Sequence, residues 1–202
     1  MSKYRRKRSL DRIVQTRRST NILFVGIEGG SRTSSKEAKY LDMFHGFNKN
    51  VQVRVYPCDE HKSAPLHVLD HLKNKLKEEI LQEGDEAWLV IDRDRYGSHL
   101  PEVARRCNDA NVRLALSNPC FEYWLLLHLV DPQAHLQSCG DVKPVLSAAL
   151  DRIDTSEGFE SIYIDRFQTA VDRAERRDTA SDRWPQQNGS RVYQLVKRIV
   201  RS

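Results

Sequence analysis

The chain has no run of apolar residues approaching the ~20 that a membrane-spanning helix needs, so a membrane protein of that kind is not expected. Its basic N-terminus is not followed by an apolar stretch, which argues against a secretory signal. There are only 4 cysteines, Cys58, Cys107, Cys120 and Cys139, and no CxxC pair. That spacing gives no zinc signature, and the expectation is four reduced thiols in a cytoplasmic protein. There is no internal repeat and no low-complexity tract. The glycines of Gly26-Ile-Glu-Gly-Gly-Ser31 lack the GxGxxG spacing, and no Walker lysine follows, so neither a dinucleotide fingerprint nor a P-loop is present. Gly29-Gly30 permits close approach to a ligand but is equally ordinary turn chemistry.

What is present is a chain of 202 residues with 39% hydrophobic composition. It is long enough to bury a core without disulfides and suggests one domain, or one with an appendage. The charge is uneven. Residues 1–18 hold eight basic side chains against the single acid Asp11, a net +7; with +5 over the whole chain, residues 19–202 carry −2. The basic arm, residues 1–20, suits phosphate contacts through counterion release and equally suits a solvated tail with no partner of its own.

Residues 21–27 form a short apolar run rich in β-formers, bounded by Ser19-Thr20 and Glu28-Gly29-Gly30, which reads as a buried strand. Residues 35–47 place Ala38, Leu41, Phe44 and Phe47 at helical spacing, and 51–56 alternate as a strand does. Pro65 opens a helix whose stripe is Leu66, Leu69, Leu72, Leu76 and Ile80, with Gly84 past its end. Residues 86–91 are a third strand, 99–110 a helix and 112–116 a fourth strand. Asn118 then suits an N-cap and Pro119 the first position of a helix to about Leu129. Strands alternating with helices predict an α/β fold, a Rossmann-like parallel sheet of about four strands flanked by helices over 21–130. Residues 131–202 read as a helical C-terminal extension packed on that core, with helical patterns at 142–153, 161–177 and 191–201.

In an open parallel sheet, functional groups collect beyond the carboxyl ends of the strands. Glu28 follows the first strand; Asp92 and Asp94 follow the third, and residues i and i+2 of an extended segment face one way. Three such carboxylates repel one another unless a cation intervenes, and Mg²⁺ or Mn²⁺ is the hard ion that carboxylates and water suit. The plain alternative is that Asp92-Arg-Asp-Arg95 is a loop of self-neutralising surface ion pairs. Aspartyl phosphoryl transfer fits less well, because its aspartate pair usually follows the first strand. In Ser117-Asn-Pro-Cys-Phe-Glu-Tyr-Trp-Leu-Leu-Leu-His128, Glu122 lies in a helix's first turn, where the dipole alone would explain it. Trp124 and His128 share a face, and a histidine on an apolar helix is more often a hydrogen-bonded core residue than a catalyst. Cys120 near a helix start would have a lowered pKa, but with no identifiable base beside it the residue reads as structural.

Three blocks in order, ILFVGIEGG with Glu37 and Tyr40 downstream, AWLVIDRDR, and LALSNPCFEYWLLLH, resemble the RloB family of Toprim-fold proteins. They span 21–130, and the last, close to SNPxFExWLLLH, is the most specific. Tyr163 and the 191–201 helix correspond to the family's late tyrosine and helix, with Asp165-Arg166 where its lysine is expected. The loop between Glu28 and Glu37 is longer than the family's EGxxTE. The resemblance implies Mg²⁺-dependent phosphodiester chemistry, with Glu28 as general acid/base and metal ligand and Asp92 and Asp94 as metal ligands. Glu122 would be an auxiliary acid and His128 a further catalytic candidate. Asn118, Arg93, Arg95 and Lys36 are the substrate-binding candidates. It further implies a nuclease effector of anti-phage abortive infection, acting on RNA, tRNA included, or on DNA, encoded beside an ABC- or AAA-type ATPase, and open to homo-oligomerisation. The other reading is a non-catalytic scaffold that docks on such an ATPase and signals through it.

Overall fold

A computed structural model describes residues 18–31, 33–58, 64–93, 97–153, 158–179 and 182–201. Its elements in chain order are β1 (Asn21–Ile27), α1 (Lys36–Asp42), β2 (Val51–Pro57), α2 (Pro65–Leu76), β3 (Glu86–Asp92), α3 (Leu100–Asp109), β4 (Val112–Asn118), α4 (Phe121–Leu129), α5 (Cys139–Leu150), α6 (Phe159–Ile164), α7 (Phe167–Arg177), β5 (Gly189–Ser190) and α8 (Val192–Val200). The strands form one sheet in the order β2-β1-β3-β4-β5. The first four are mutually parallel, and β5 runs antiparallel to β4.

Both faces of the sheet are covered, as βαβ crossovers require. Along β1, Leu23, Val25 and Ile27 enter one core while Ile22 and Phe24 enter the other, the alternation a strand imposes. On the second face, α2 contributes Val68, Leu69 and Leu72, and α3 contributes Leu100, Val103 and Cys107. The first face takes α1, the almost wholly buried α4, and all four helices that follow it. Gly26 lets β1 approach α2 closely: a Cβ there would lie 3.1 Å from Leu72 Cβ. The start of the sheet is held by Asp85, whose carboxylate accepts from the Ile22 N–H at 2.7 Å, the Gln82 N–H at 2.8 Å and the Arg18 guanidinium at 2.7 Å.

The α/β class and the four parallel strands match the sequence reading, and several details differ. The C-terminal part is not only helical. Gly189–Ser190 adds a fifth strand, with Ser117 opposite Ser190 and Asn118 opposite Gly189. Asn118 is therefore the last residue of β4 and not an N-cap; the cap position of α4 is Cys120, and the Asn118–Pro119 peptide is cis. α2 stops at Leu76, so Ile80 lies beyond the apolar stripe and is 74% exposed. Phe47 likewise falls after α1 and is exposed. The 161–177 pattern is two helices, broken at Asp165-Arg166.

Candidate metal and acid centre

The chain leaves β1 toward β2 on one side and reaches β3 on the other, so the β1/β3 boundary is the topological switch point where α/β sheets bind ligands. Glu28 follows the last residue of β1, and Asp92 is the last residue of β3. The two meet there: Glu28 Oε1 accepts the Asp92 backbone N–H at 3.1 Å. Asp92 Oδ1 in turn accepts the N–H of Phe121, the first residue of α4, at 2.8 Å. A carboxylate thus seals an orphan donor of a helix whose cap residue, Cys120, makes no side-chain capping hydrogen bond.

Two more acids converge on Asp92. Its proton affinity is held well above the ordinary carboxylate range, first by burial and then by the charges of Glu28, Glu37 and Glu122; the Phe121 N–H opposes this. Glu37 stands in the first turn of α1, whose N-cap Ser35 accepts from the Ala38 N–H at 3.2 Å and donates to a Glu37 oxygen. Burial pushes the Glu37 pKa up and Glu122 adds to it, while the Ser35 bond and Lys36 oppose. Glu122 is buried in the first turn of α4. Its Oε1 accepts from Lys36 Nζ at 2.6 Å, and Lys143 Nζ lies 4.0 Å from the same oxygen.

Glu28, Glu37 and Asp92 are half-buried carboxylates; Glu28 touches Asp92 through the latter's backbone N–H, and the charges of Glu28 and Glu37 both act on Asp92. Carboxylates are the ligand type that a hard divalent cation prefers. Among the described residues, the group whose ligand atoms lie within 4.8 Å of one another is a different one, Cys120, Glu122 and Cys139. Asp94, the other expected ligand, lies outside the described residues, as does Arg95.

The remaining candidates have other places. His128, expected in the catalytic group, sits in an aromatic core: its ring centroid is 4.9 Å from Trp124, 5.2 Å from Tyr163 and 5.4 Å from Tyr40. Its Nδ1 pairs with the Trp124 carbonyl at 3.0 Å and its Nε2 with the Tyr40 hydroxyl at 3.1 Å. A carbonyl can only accept, so Nδ1 carries the proton. Burial holds the pKa down to about 3. Both nitrogens are engaged in packing, so the ring has no lone pair or proton for a substrate. Asn118 donates to the carbonyls of Pro185 at 3.1 Å and Gln187 at 2.8 Å, and Arg93 Nη1 donates to that of Gln186 at 2.9 Å. These two expected substrate contacts therefore clamp the loop before β5. Lys36, half exposed, stands at the rim on Glu122.

The expectation of four reduced thiols is also corrected. Cys120 and Cys139 form a disulfide, with Cα atoms 5.6 Å apart. Cys58 and Cys107 are buried and take part in no disulfide, and burial pushes the Cys107 thiol up to about 12. Residue patterns assigned no role to Glu37, Ser35 or Cys139. Glu37 stands two residues after a capping serine, and only the fold shows that its charge acts on Asp92 and is itself acted on by Glu122.

Compared with known proteins, residues 24–199 match the family model described as RloB-like protein. No curated protein and no solved structure matches the chain.

Proposed function

Since this chain belongs to the RloB-like family, we propose that it is a divalent-metal-dependent nuclease, cleaving phosphodiesters in RNA, tRNA included, or in DNA. The observation that carries the reading is the contact of Glu28 with Asp92 at the switch point, where Asp92 is drawn toward protonation first by burial and then by the charges of Glu28, Glu37 and Glu122. Acids placed at a sheet's ligand-binding edge support a site for a cation there.

In this reading Glu28, Asp92 and Glu37 hold Mg²⁺ or Mn²⁺, with Asp94 as a further ligand. Bound there, the cation supplies positive charge to a phosphoryl oxygen and lowers the pKa of a water. Glu28, its Oε1 fixed by the Asp92 N–H, moves the proton between the attacking and leaving oxygens. Lys36 offers a cation to the substrate's phosphate from the rim, with Glu122 setting its position. The family resemblance supplies the wider setting we propose: an effector of anti-phage abortive infection, partnered with an ABC- or AAA-type ATPase.

The test is incubation of the full chain with labelled RNA and labelled DNA in Mg²⁺ or Mn²⁺, with and without EDTA. Cleavage should require the metal and vanish in the folded Asp92→Ala/Asp94→Ala double variant. Cleavage that survives EDTA, or that the double variant performs at the wild-type rate, would overturn the assignment.

A further inference from the structure

Beside the carboxylate cluster lies a group of different chemistry. We propose that Cys120, Cys139 and Glu122 form a second metal site, of zinc type, that reduction of the disulfide opens and oxidation closes. One ligand atom from each of the three residues lies within 4.8 Å of the others. In a tetrahedral zinc site, with Zn–S about 2.3 Å and Zn–O about 2.0–2.2 Å, neighbouring ligand atoms are roughly 3.5–3.8 Å apart. Glu122 Oε2 is 3.4 Å from Cys139 Sγ, and the 5.6 Å between the Cys Cα atoms spans a shared metal as well as a disulfide.

The two oxygens of Glu122 divide the work. Oε2 faces the sulfurs while Oε1 holds Lys36 at 2.6 Å. Glu122 can therefore bind a metal without giving up the partner that orients it, an arrangement common around protein metal sites. The ligands also stand on rigid supports. Cys120 and Glu122 flank Phe121, whose N–H is fixed on Asp92. Cys139 opens α5 inside a reciprocal Ser138–Asp141 capping box. Two thiolates select zinc over magnesium, so the cleft would hold two metals chosen by different ligand softness. Three protein ligands leave the fourth position to water or a small ligand.

The chemistry balances with an external dithiol or thiol as reductant. A thiolate attacks Cys139 Sγ, the half-buried sulfur of the pair, and displaces Cys120 as thiolate. A second reductant thiol releases Cys139, and the reductant leaves as its disulfide. Zn²⁺ then displaces the two cysteine protons to solvent.

The experiment uses the full chain and Co²⁺ as a spectroscopic probe for zinc. After anaerobic reduction by a phosphine, one equivalent of Co²⁺ should produce the near-ultraviolet thiolate-to-cobalt band and the visible bands of a tetrahedral ion. Millimolar Mg²⁺ should not displace it. The oxidised chain and Cys139→Ser should give no such band, Glu122→Gln should weaken binding at least tenfold, and Asp92→Asn should keep the band. No thiolate band in the reduced wild-type chain, or an undiminished band in Cys139→Ser, would overturn the proposal. The comparison of reduced with oxidised wild type needs no variant to fold. Because the readout is spectroscopic, this result stands or falls separately from nuclease activity.

Discussion

Asp92 serves the fold and the cleft with one carboxylate. It seals the start of α4, and it is the acid on which Glu28, Glu37 and Glu122 press. The asparagine side chain keeps the oxygen that accepts the Phe121 N–H and removes the charge. Asp92→Asn is therefore expected to raise the melting temperature of the metal-free protein, by roughly 2–4 °C for each ~1 kcal/mol of repulsion relieved in a chain of this size. The same variant should lose the stabilisation that Mg²⁺ gives the wild type. Calorimetry with and without Mg²⁺ reads both effects. The pH dependence has two opposed parts. Asp92 and Glu37 titrate above their ordinary 3.8 and 4.5 when folded. Their contribution is thus most favourable below those values and is lost as pH rises through the raised ones. His128, lowered from 6.5 to about 3, does the reverse: its contribution is complete above 6.5 and drains away as pH falls toward 3. Metal-free His128→Gln should flatten the acid-side loss, measured as unfolding free energy against pH. His128→Ala should cost about 3 kcal/mol by analogy with buried aromatic truncations, while the folded fraction keeps its turnover. A fall in turnover without loss of stability would return His128 to the catalytic group. At this scale Glu28, Asp92 and Glu122 were legible because each directly follows or ends a strand, or opens a helix, whose pattern is plain. Glu37 enters only through the family resemblance, after a longer loop, and the Cys120–Cys139 pair was not legible, because only folding shows that residues 19 apart meet.

At the scale of elements, the loop before β5 is held by side chains that looked like substrate contacts. Asn118→Ala removes both donors to Pro185 and Gln187 and leaves two carbonyls without those bonds. A loss of about 1–3 kcal/mol is expected, with hydrogen exchange rising first in Gly189–Ser190. Strands β1 to β4 were readable from apolar runs and alternation. β5 was not, since a two-residue Gly-Ser strand has no period, and it forms because β4 offers Ser117 and Asn118 as partners. The helices of the C-terminal half were visible as patterns, but the break at Asp165-Arg166 was not.

For the whole molecule, the sequence suggests a core of 21–130 with a helical extension packed on it, and α5, α6, α7 and α8 contribute to the larger of the two apolar cores. Val192, Leu195, Val196 and Ile199 of α8 pack into the same cluster as Leu23 and Val25 of β1. A fragment ending at residue 130 would expose that surface, so it is expected to lack a cooperative thermal transition, whereas the full chain unfolds with one. Circular dichroism melts of the two compare them directly. Among the described residues no helix is long and apolar enough to cross a membrane.

Arg18 is anchored on Asp85 just ahead of β3, and Asn48, just ahead of β2, holds the carbonyls of Ile199 and Arg201 at 3.1 and 2.9 Å. Both ends of the described chain are thus moored at the pole where the parallel strands begin, while the carboxylates occupy the pole where they finish. A label attached at Arg18 or Arg201 is thus expected to sit at the opposite pole from the candidate site and to leave that rim clear.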